Sequence, residues 1–338
     1  MRVLVVGLGS MGKRRIRCLK ALGEIEIAGF DPRLDRREEV ASIYGIKVYD
    51  SFSDAIRDFR PEAFIISVPP DAHHSYVSAA IELSIHFFIE ASVLDTGISE
   101  AIGQVKNRGL VAAPSATLWF HPAIMEINKI VKSGELGKLS NILLHSGQFL
   151  PDWHVYEPVS DYYVSNRETS GGREIVPFEL SWFLRVFGKP RRVAANFRKT
   201  IDIPGAEYID DTYNLLLDYS NYLAVVTVDV VSRCATRRLV VNGSLKQLYW
   251  SWDENAVKVF DPVAEEWSIR PYQMASAEQG YNANIGENMY IEEIRSFLAA
   301  TRGEESFFNS LSEDLEVLHL LYTAERSDLT SAFLPIQP

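Results

Sequence analysis

A chain of 338 residues exceeds the size at which one hydrophobic core keeps growing, so two domains are expected. Hydrophobic residues at 47% and charged residues at 23% describe an ordinary globular composition. The formal net charge of −11 argues against nucleic acid or an anionic membrane as partner, while local basic residues leave room for an anionic substrate.

Cys18 and Cys234 form no CxxC pair and no metal-ligand spacing. They read as reduced core thiols, which predicts a cytoplasmic location. The opening MRVLVVGLGS lacks the basic stretch and cleavage site of a secretory leader and reads as a buried strand. No apolar run reaches the roughly 18 residues that span a bilayer.

Arg2–Val6 is an apolar run that stops at Gly7. Met11, Ile16, Leu19 and Leu22 then recur at helical spacing, and Gly23 ends that helix. A strand over Ile25–Phe30 stops at Asp31, followed by a helix around Arg36–Tyr44 and a strand over Lys47–Tyr49. Ser51–Phe59 predicts a helix, Ala63–Val68 a strand, His73–Leu83 a helix, and His86–Ile89 and Leu110–Ala113 further strands. Near-continuous apolar strands alternating with helices mean a parallel sheet covered on both faces, the doubly wound Rossmann class.

Beyond residue 120 the rhythm changes. Phe120–Lys132 predicts an amphipathic helix ended by Gly134, and Leu139–Phe149 a strand. A helix over Val176–Phe187 precedes strands at Arg192–Arg198, Thr212–Tyr219, Tyr222–Val231, Leu239–Val241, Gln247–Trp252 and Ala256–Phe260, with Asn221 at a tight turn. Helices at Asn288–Ala300 and Ser312–Ser331 close the chain. The expected division is a Rossmann domain over 1–120 and, over 121–338, an α+β domain with a largely antiparallel open sheet.

Gly7, Gly9 and Gly12 in GLGSMG follow a strand and open a helix, the context a dinucleotide requires. Gly7 permits the turn, Gly9 lets the backbone approach a pyrophosphate, and Gly12 lets helix and strand pack closely. Ser10 and Met11 fall in the first turn, whose N–H groups and dipole attract the phosphates. Asp31 stands at the end of the second strand, where a carboxylate accepts from the adenosine ribose hydroxyls. It favours NAD over NADP, and Arg33 is close enough to blur that preference.

On the stretches VVGLGSMGKRR, SVPPDAHHSYVSAA, FFIEAS, FHPAIMEINKIVKSGELGKL and ENMYIEEIRSFL, the chain resembles the Gfo/Idh/MocA oxidoreductases over almost its whole length. The resemblance implies that Pro69, Pro70 and His73 lie along the nicotinamide half of the cofactor and that Glu90 contacts the nicotinamide ribose. It also implies a homodimer or homotetramer paired through the open sheet face. Two departures stand out. The family's Glu-Lys-Pro is Glu90-Ala91-Ser92 here, so the lysine shared by substrate and cofactor is missing. In GGREIVPFELSWFLRVFG, ungapped counting from Gly188 puts Phe178 at the family's histidine and Ser181 at its aspartate; one gap puts Glu179 there.

The connection Phe149–Arg173 is long, weakly periodic and too aromatic for disorder, which marks it as functional. Trp153, Tyr162 and the more distant Trp119 offer faces to a sugar ring, and Arg173 a grip for a substrate carboxylate. A proton acceptor for a carbinol is then sought here. His154 is the segment's histidine, Tyr163 serves if a nearby cation lowers its pKa, and Glu179 is third. Against these, His154 would be capped by Asp152 or Glu157, the tyrosines would pack the loop, and Glu179 would pair with Arg173 or Arg185. The scattered histidines indicate no metal site. The expected function is an NAD(P)-dependent oxidoreductase acting on the CH–OH group of a sugar or sugar derivative, with a nucleotide or acidic sugar of glycan biosynthesis among the candidate substrates. The alternatives are a redox-neutral NAD-using epimerase or lyase and a non-catalytic NAD-binding sensor or partner subunit.

Overall fold

The computed structural model describes residues 1–23, 25–274 and 286–336. The chain divides into two compact units, Met1–Thr117 with Asn288–Leu315, and Leu118–Glu287 with Glu316–Pro338.

The first unit alternates β1 (Arg2–Val6), α1 (Ser10–Leu22), β2 (Glu26–Phe30), α2 (Leu34–Tyr44), β3 (Lys47–Tyr49) and α3 (Phe52–Phe59). It continues through β4 (Ala63–Ile66), α4 (His73–Glu82), β5 (His86–Ile89), α5 (Ile98–Arg108) and β6 (Ala112–Pro114). The six strands pair in the order β3-β2-β1-β4-β5-β6, all parallel. This order reverses beside β1, so the C-terminal ends of β1 and β4 flank a crevice at the switch point. Every residue of β4 is buried, as a two-faced parallel strand requires. Helix α5 has no counterpart among the predicted elements because only Ile98 and Ala101 are buried on it, too few to set an apolar period. Strand β4 stops at Ile66, and Ser67–Pro69 leave the sheet towards the glycine turn.

The second unit contains α6 (Pro122–Lys132), β7 (Leu139–Phe149), α7 (Gly171–Phe187), β8 (Arg192–Arg198), β9 (Thr212–Asp218), β10 (Leu223–Asp229) and β11 (Val231–Gly243). Then come β12 (Gln247–Ser251), β13 (Ala256–Asp261), β14 (Glu266–Pro271) and β15 (Leu334–Pro335), while in chain order α8 (Glu287–Thr301) and the first turn of α9 (Leu311–Thr330) are counted with the first unit. Nine strands pair in the order β14-β13-β12-β11-β7-β10-β9-β8-β15. All pairs are antiparallel except β10 with β7. Alternate residues of β9 are buried, the pattern of a sheet covered on one face. Helix α7 starts at Gly171 rather than Val176 because the Ser170 hydroxyl caps the Arg173 N–H. At the β9–β10 turn Ser220, not Asn221, takes the left-handed conformation (φ +73°), held by its N–H donating to Asp218. Strand β14 escapes sequence reading because it is an edge strand without a buried face.

The expected domain boundary needs correcting in one respect. The break after Thr117 is close to residue 120, but α8, placed by sequence in the second domain, is part of the first unit. Its Glu293 bonds the Ala116 N–H and Thr117, and Phe297 packs on Phe88. Cys18 is buried, whereas Cys234 is exposed on an irregular stretch of β11, so it is no core thiol. Among the described residues no helix is long and apolar enough to cross a membrane.

Candidate cofactor and active site

The turn after β1 is shaped by steric need. Gly7 has φ +90°, and a Cβ there would lie 2.6 Å from the Ser67 carbonyl oxygen. A Cβ on Gly12 would lie 1.9 Å from the Gly7 carbonyl oxygen, so α1 crosses its own entry turn at glycine distance. The N-cap residue Gly9 caps nothing with a side chain, and the first turn, Ser10, Met11 and Gly12, carries no acidic residue. A helix start of this kind presents N–H groups and a positive dipole end to an anion. The arrangement fits a dinucleotide pyrophosphate.

Asp31, 2% exposed, faces the same turn. Its carboxylate accepts from the Leu8 N–H at 2.8 Å and the Arg33 N–H at 2.9 Å. The cation beside it is not the Arg33 side chain, which pairs with Asp35. It is Arg36, one helical turn along α2, 3.5 Å from Asp31 Oδ2 and also the nearest group to Gly9. Arg33, the N-cap residue of α2, is turned towards Asp35, and the next turn of the helix brings Arg36 to Asp31 instead.

Pro70 and His73 line a small pocket with Ser92 and Leu311. Pro69 precedes the short turn Pro70–Ala72. His73 is buried, shares a hydrogen bond of 3.1 Å with the Val68 carbonyl, and is pushed down to about 4 by burial. The ring is therefore a neutral brace of the loop after β4. Burial pushes the carboxyl of Asp314, in the first turn of α9, up to about 7, with a hydrogen bond from Ser92 opposing the shift.

Glu90, at the end of β5, is gripped at two points by Arg15 of α1: Nε donates to Oε1 at 2.7 Å and Nη2 to Oε2 at 2.8 Å. The Ser67 hydroxyl adds a bond to Oε1 at 3.1 Å. Arg15 Nη1 reaches Glu293 Oε2 at 2.9 Å. Burial alone would lower Arg15, but the two carboxylates override it and hold the guanidinium charged. Burial also pushes Glu293 up, yet the Ala116 N–H, the Thr117 hydroxyl and Arg15 all donate to it, so the geometry supports an ion pair. Sequence reading missed Arg15, although a signal existed: it falls on the α1 stripe of Met11, Cys18 and Leu22, where a charge is out of place. Glu293 gave no local signal.

The segment from Phe149 to Arg173 is folded over a small core of its own. Leu150, Val159 and Val164 cluster with Ile203, Ala206, Ile209 and Val230, and Phe149, Trp153, Tyr162 and Tyr163 pack against them. His154 lies between two rings, Tyr156 at 5.0 Å and Tyr162 at 4.5 Å, both nearly parallel to it. Its Nδ1 is 2.7 Å from Glu157 Oε1. The Tyr163 hydroxyl donates to Glu174 at 2.9 Å, so its partner is a carboxylate where the sequence expectation required a cation. Trp153 Nε1 and Tyr162 Oη are buried without a hydrogen-bond partner, and burial pushes the Tyr162 hydroxyl up.

Two expected site residues are engaged elsewhere. Arg173 Nε donates to Glu325 at 2.6 Å and Nη1 to the Glu168 carbonyl at 2.7 Å, so the guanidinium ties the start of α7 to α9. Glu179 is fully buried. Ser146 and Arg237 donate to its Oε1, each at 2.8 Å, and the Trp182 indole to Oε2 at 2.7 Å. Its carboxylate fastens α7 to the sheet and reaches no solvent; the pairing with Arg173 or Arg185 foreseen as an alternative is instead made with Arg237. The Trp119 ring lies under the Arg185 guanidinium at 5.3 Å. Among the described residues no group of His, Cys, Asp and Glu could hold a metal.

Residues 1–93 match the family model described as the GFO/IDH/MocA oxidoreductase family, NAD-binding Rossmann fold. Residues 124–249 match the GFO/IDH/MocA C-terminal domain. The chain is 27% identical over 312 residues to the uncharacterized oxidoreductase YrbE of Bacillus subtilis (strain 168), covering 88% of this chain and 85% of the relative. It is 21% identical over 209 residues to the uncharacterized oxidoreductase YhhX of Escherichia coli (strain K12), covering 61% of this chain and only 58% of that relative. Among solved structures, levoglucosan dehydrogenase in complex with NADH and levoglucosan shares the fold over 100% of both chains, with a TM-score of 0.85 at 15% identity. GenD2 from gentamicin A biosynthesis, in complex with NAD, gives 0.81 at 16% identity, covering 100% of this chain and 97% of that one.

Proposed function

The chain belongs to the GFO/IDH/MocA oxidoreductase family, and from that premise we propose that it oxidises or reduces a CH–OH group of a sugar or sugar derivative with NAD(H). The observation that carries this reading is the glycine turn opening onto the uncapped start of α1 beside the buried Asp31 carboxylate. Gly7, Gly9, Ser10, Met11 and Gly12 would hold the pyrophosphate, Asp31 the adenosine ribose, and Pro69, Pro70 and Glu90 the nicotinamide half. Asp31 favours NAD, with Arg36 the residue that would admit NADP. When bound, the nicotinamide supplies the hydride acceptor or donor.

The chain itself must position the carbinol and take its proton. We assign that proton to His154, because Glu157 at Nδ1 fixes the ring as a carboxylate fixes a general base. The buried Trp153 Nε1 and Tyr162 Oη each lack a partner, a cost that a hydroxyl-rich ligand reaching them would remove. The shared fold with an enzyme solved with NADH and levoglucosan supports a carbohydrate. The same reading makes the protein a cytoplasmic homodimer or homotetramer.

The test is turnover of a panel of sugars, sugar acids and nucleotide sugars with NAD+, followed at the nicotinamide absorbance band. His154→Ala is expected to lose about 10²–10⁴-fold in rate with NADH affinity retained. If it and Tyr163→Phe both keep near parental turnover, the proton acceptor is misassigned. Ala91 and the buried Glu179 favour a second reading, a cofactor-binding subunit without chemistry. Firm NADH binding without turnover on any panel member would select it.

A further inference from the structure

We infer that Arg15 is a positioning residue for the cofactor: it holds the Glu90 carboxylate ionised and fixed in orientation, and Glu293 of α8 holds Arg15 in turn. This rests on the reading that the first unit binds a nicotinamide dinucleotide. Arg15 and Glu293 side chains are wholly buried, whereas Glu90 keeps 13% of its side chain exposed, so the network meets solvent at that carboxylate. There it adjoins the glycine turn, because Ser67 donates to Glu90 through its hydroxyl and lies against Gly7 with its carbonyl. Glu90 Oε1 accepts from both Arg15 and Ser67, and Oε2 from Arg15 Nη2, which leaves Oε2 room for a ligand hydroxyl.

The geometry exceeds what packing needs. A buried ion triad is often replaceable by apolar side chains without loss of stability, so retained charges call for another reason. Here the guanidinium fork matches both oxygens of one carboxylate, the arrangement that fixes its plane as well as its charge. The rings of Phe88 and Tyr290 flank the guanidinium at 4.5 and 5.1 Å and keep it from turning. Thus a residue supplied 278 positions after Arg15 completes the cofactor unit.

The test is NADH and ADP affinity, by calorimetry, for the full chain and for Arg15→Lys, Glu90→Gln, Glu293→Gln and the double variant Arg15→Lys/Glu90→Gln. Lysine keeps the charge beside Glu293 and loses the two-point grip. Arg15→Lys is expected to weaken NADH about tenfold or more, with ADP affinity unchanged as the sign of an intact unit. The double variant should bind NADH no worse than Glu90→Gln alone, since Arg15 acts only through that carboxylate. If Arg15→Lys fails to fold, Glu293→Gln carries the test: it should weaken NADH only when Glu90 is present. Unchanged NADH affinity in both variants, or fully additive losses, overturns the positioning role while leaving the cofactor reading intact. A parent chain that binds ADP and NADH equally poorly overturns both.

Discussion

At Gly9 the backbone runs at φ −71°, open to every residue, and an added Cβ would meet only the flexible Arg36 guanidinium at 3.5 Å. Gly7 and Gly12 differ, because each would drive a Cβ into backbone. Two of the three glycines therefore serve the fold, and the third is the one the proposed pyrophosphate contact would use. Gly9→Ala should leave the melting temperature within a few degrees of the parent and weaken NADH by more than about tenfold, read by titration. Gly12→Ala should lower stability before any binding can be measured. Parental NADH affinity in a folded Gly9→Ala would remove the pyrophosphate assignment. The glycine turn and Asp31 were legible because the cofactor motif is local, one turn and the next strand end. Arg36 in place of Arg33, and the burial of Glu179, were not. Which of two nearby arginines swings inward depends on where a helix starts, and whether a carboxylate faces a ligand depends on what packs over it.

Helices α4 and α9 each bury a titratable group in the first unit, with opposite consequences. His73 is lowered by burial from 6.5 to about 4, so within that window the folded chain holds fewer protons than the unfolded one, and stability falls as pH drops. Asp314 is raised by burial from 3.8 to about 7, so there the folded chain holds more protons, and stability falls as pH rises. Each slope is about 1.4 kcal/mol per pH unit at most, and between about pH 4 and 6.5 they oppose one another. Asp314→Asn should raise stability at about pH 8 by about 1 kcal/mol or more. It should also expose the His73 slope, so that the variant loses stability on acidification more steeply than the parent. Denaturant melts at about pH 5 and 8 check both, and parallel profiles would refute the assignment. Helix and strand positions were otherwise readable from apolar period and end signals. The failures, α5 and β14, are the elements with the least buried surface, where the period has nothing to record.

On the face of the nine-stranded sheet where its residues are least buried, Leu216, Val225, Leu143, Val240 and Tyr249 stand in register across β9, β10, β7, β11 and β12. Leu216 and Leu143 are 47% and 42% exposed. A continuous apolar row of this kind is where the proposed homo-oligomer would pair. Leu143→Asp with Leu216→Asp should leave the sheet folded and weaken association by more than about tenfold, seen as a lower mass by light scattering. An unchanged mass would move the interface elsewhere. What the amino-acid sequence determined by itself was the class of each half. A parallel sheet needs strands apolar on both faces and an open sheet needs alternation, and both patterns are written in consecutive residues. The glycine turn was equally legible, for the same local reason. Tertiary structure alone decided that α8 returns to the first unit and that Arg15 is clamped between Glu90 and Glu293. It also decided that Arg173 and Glu179 spend their charges on Glu325 and Arg237. Those partners lie 75 to 278 residues away for Arg15, 152 for Arg173 and 58 for Glu179. A charge chooses its partner by distance in space, and no local pattern in the chain encodes that distance.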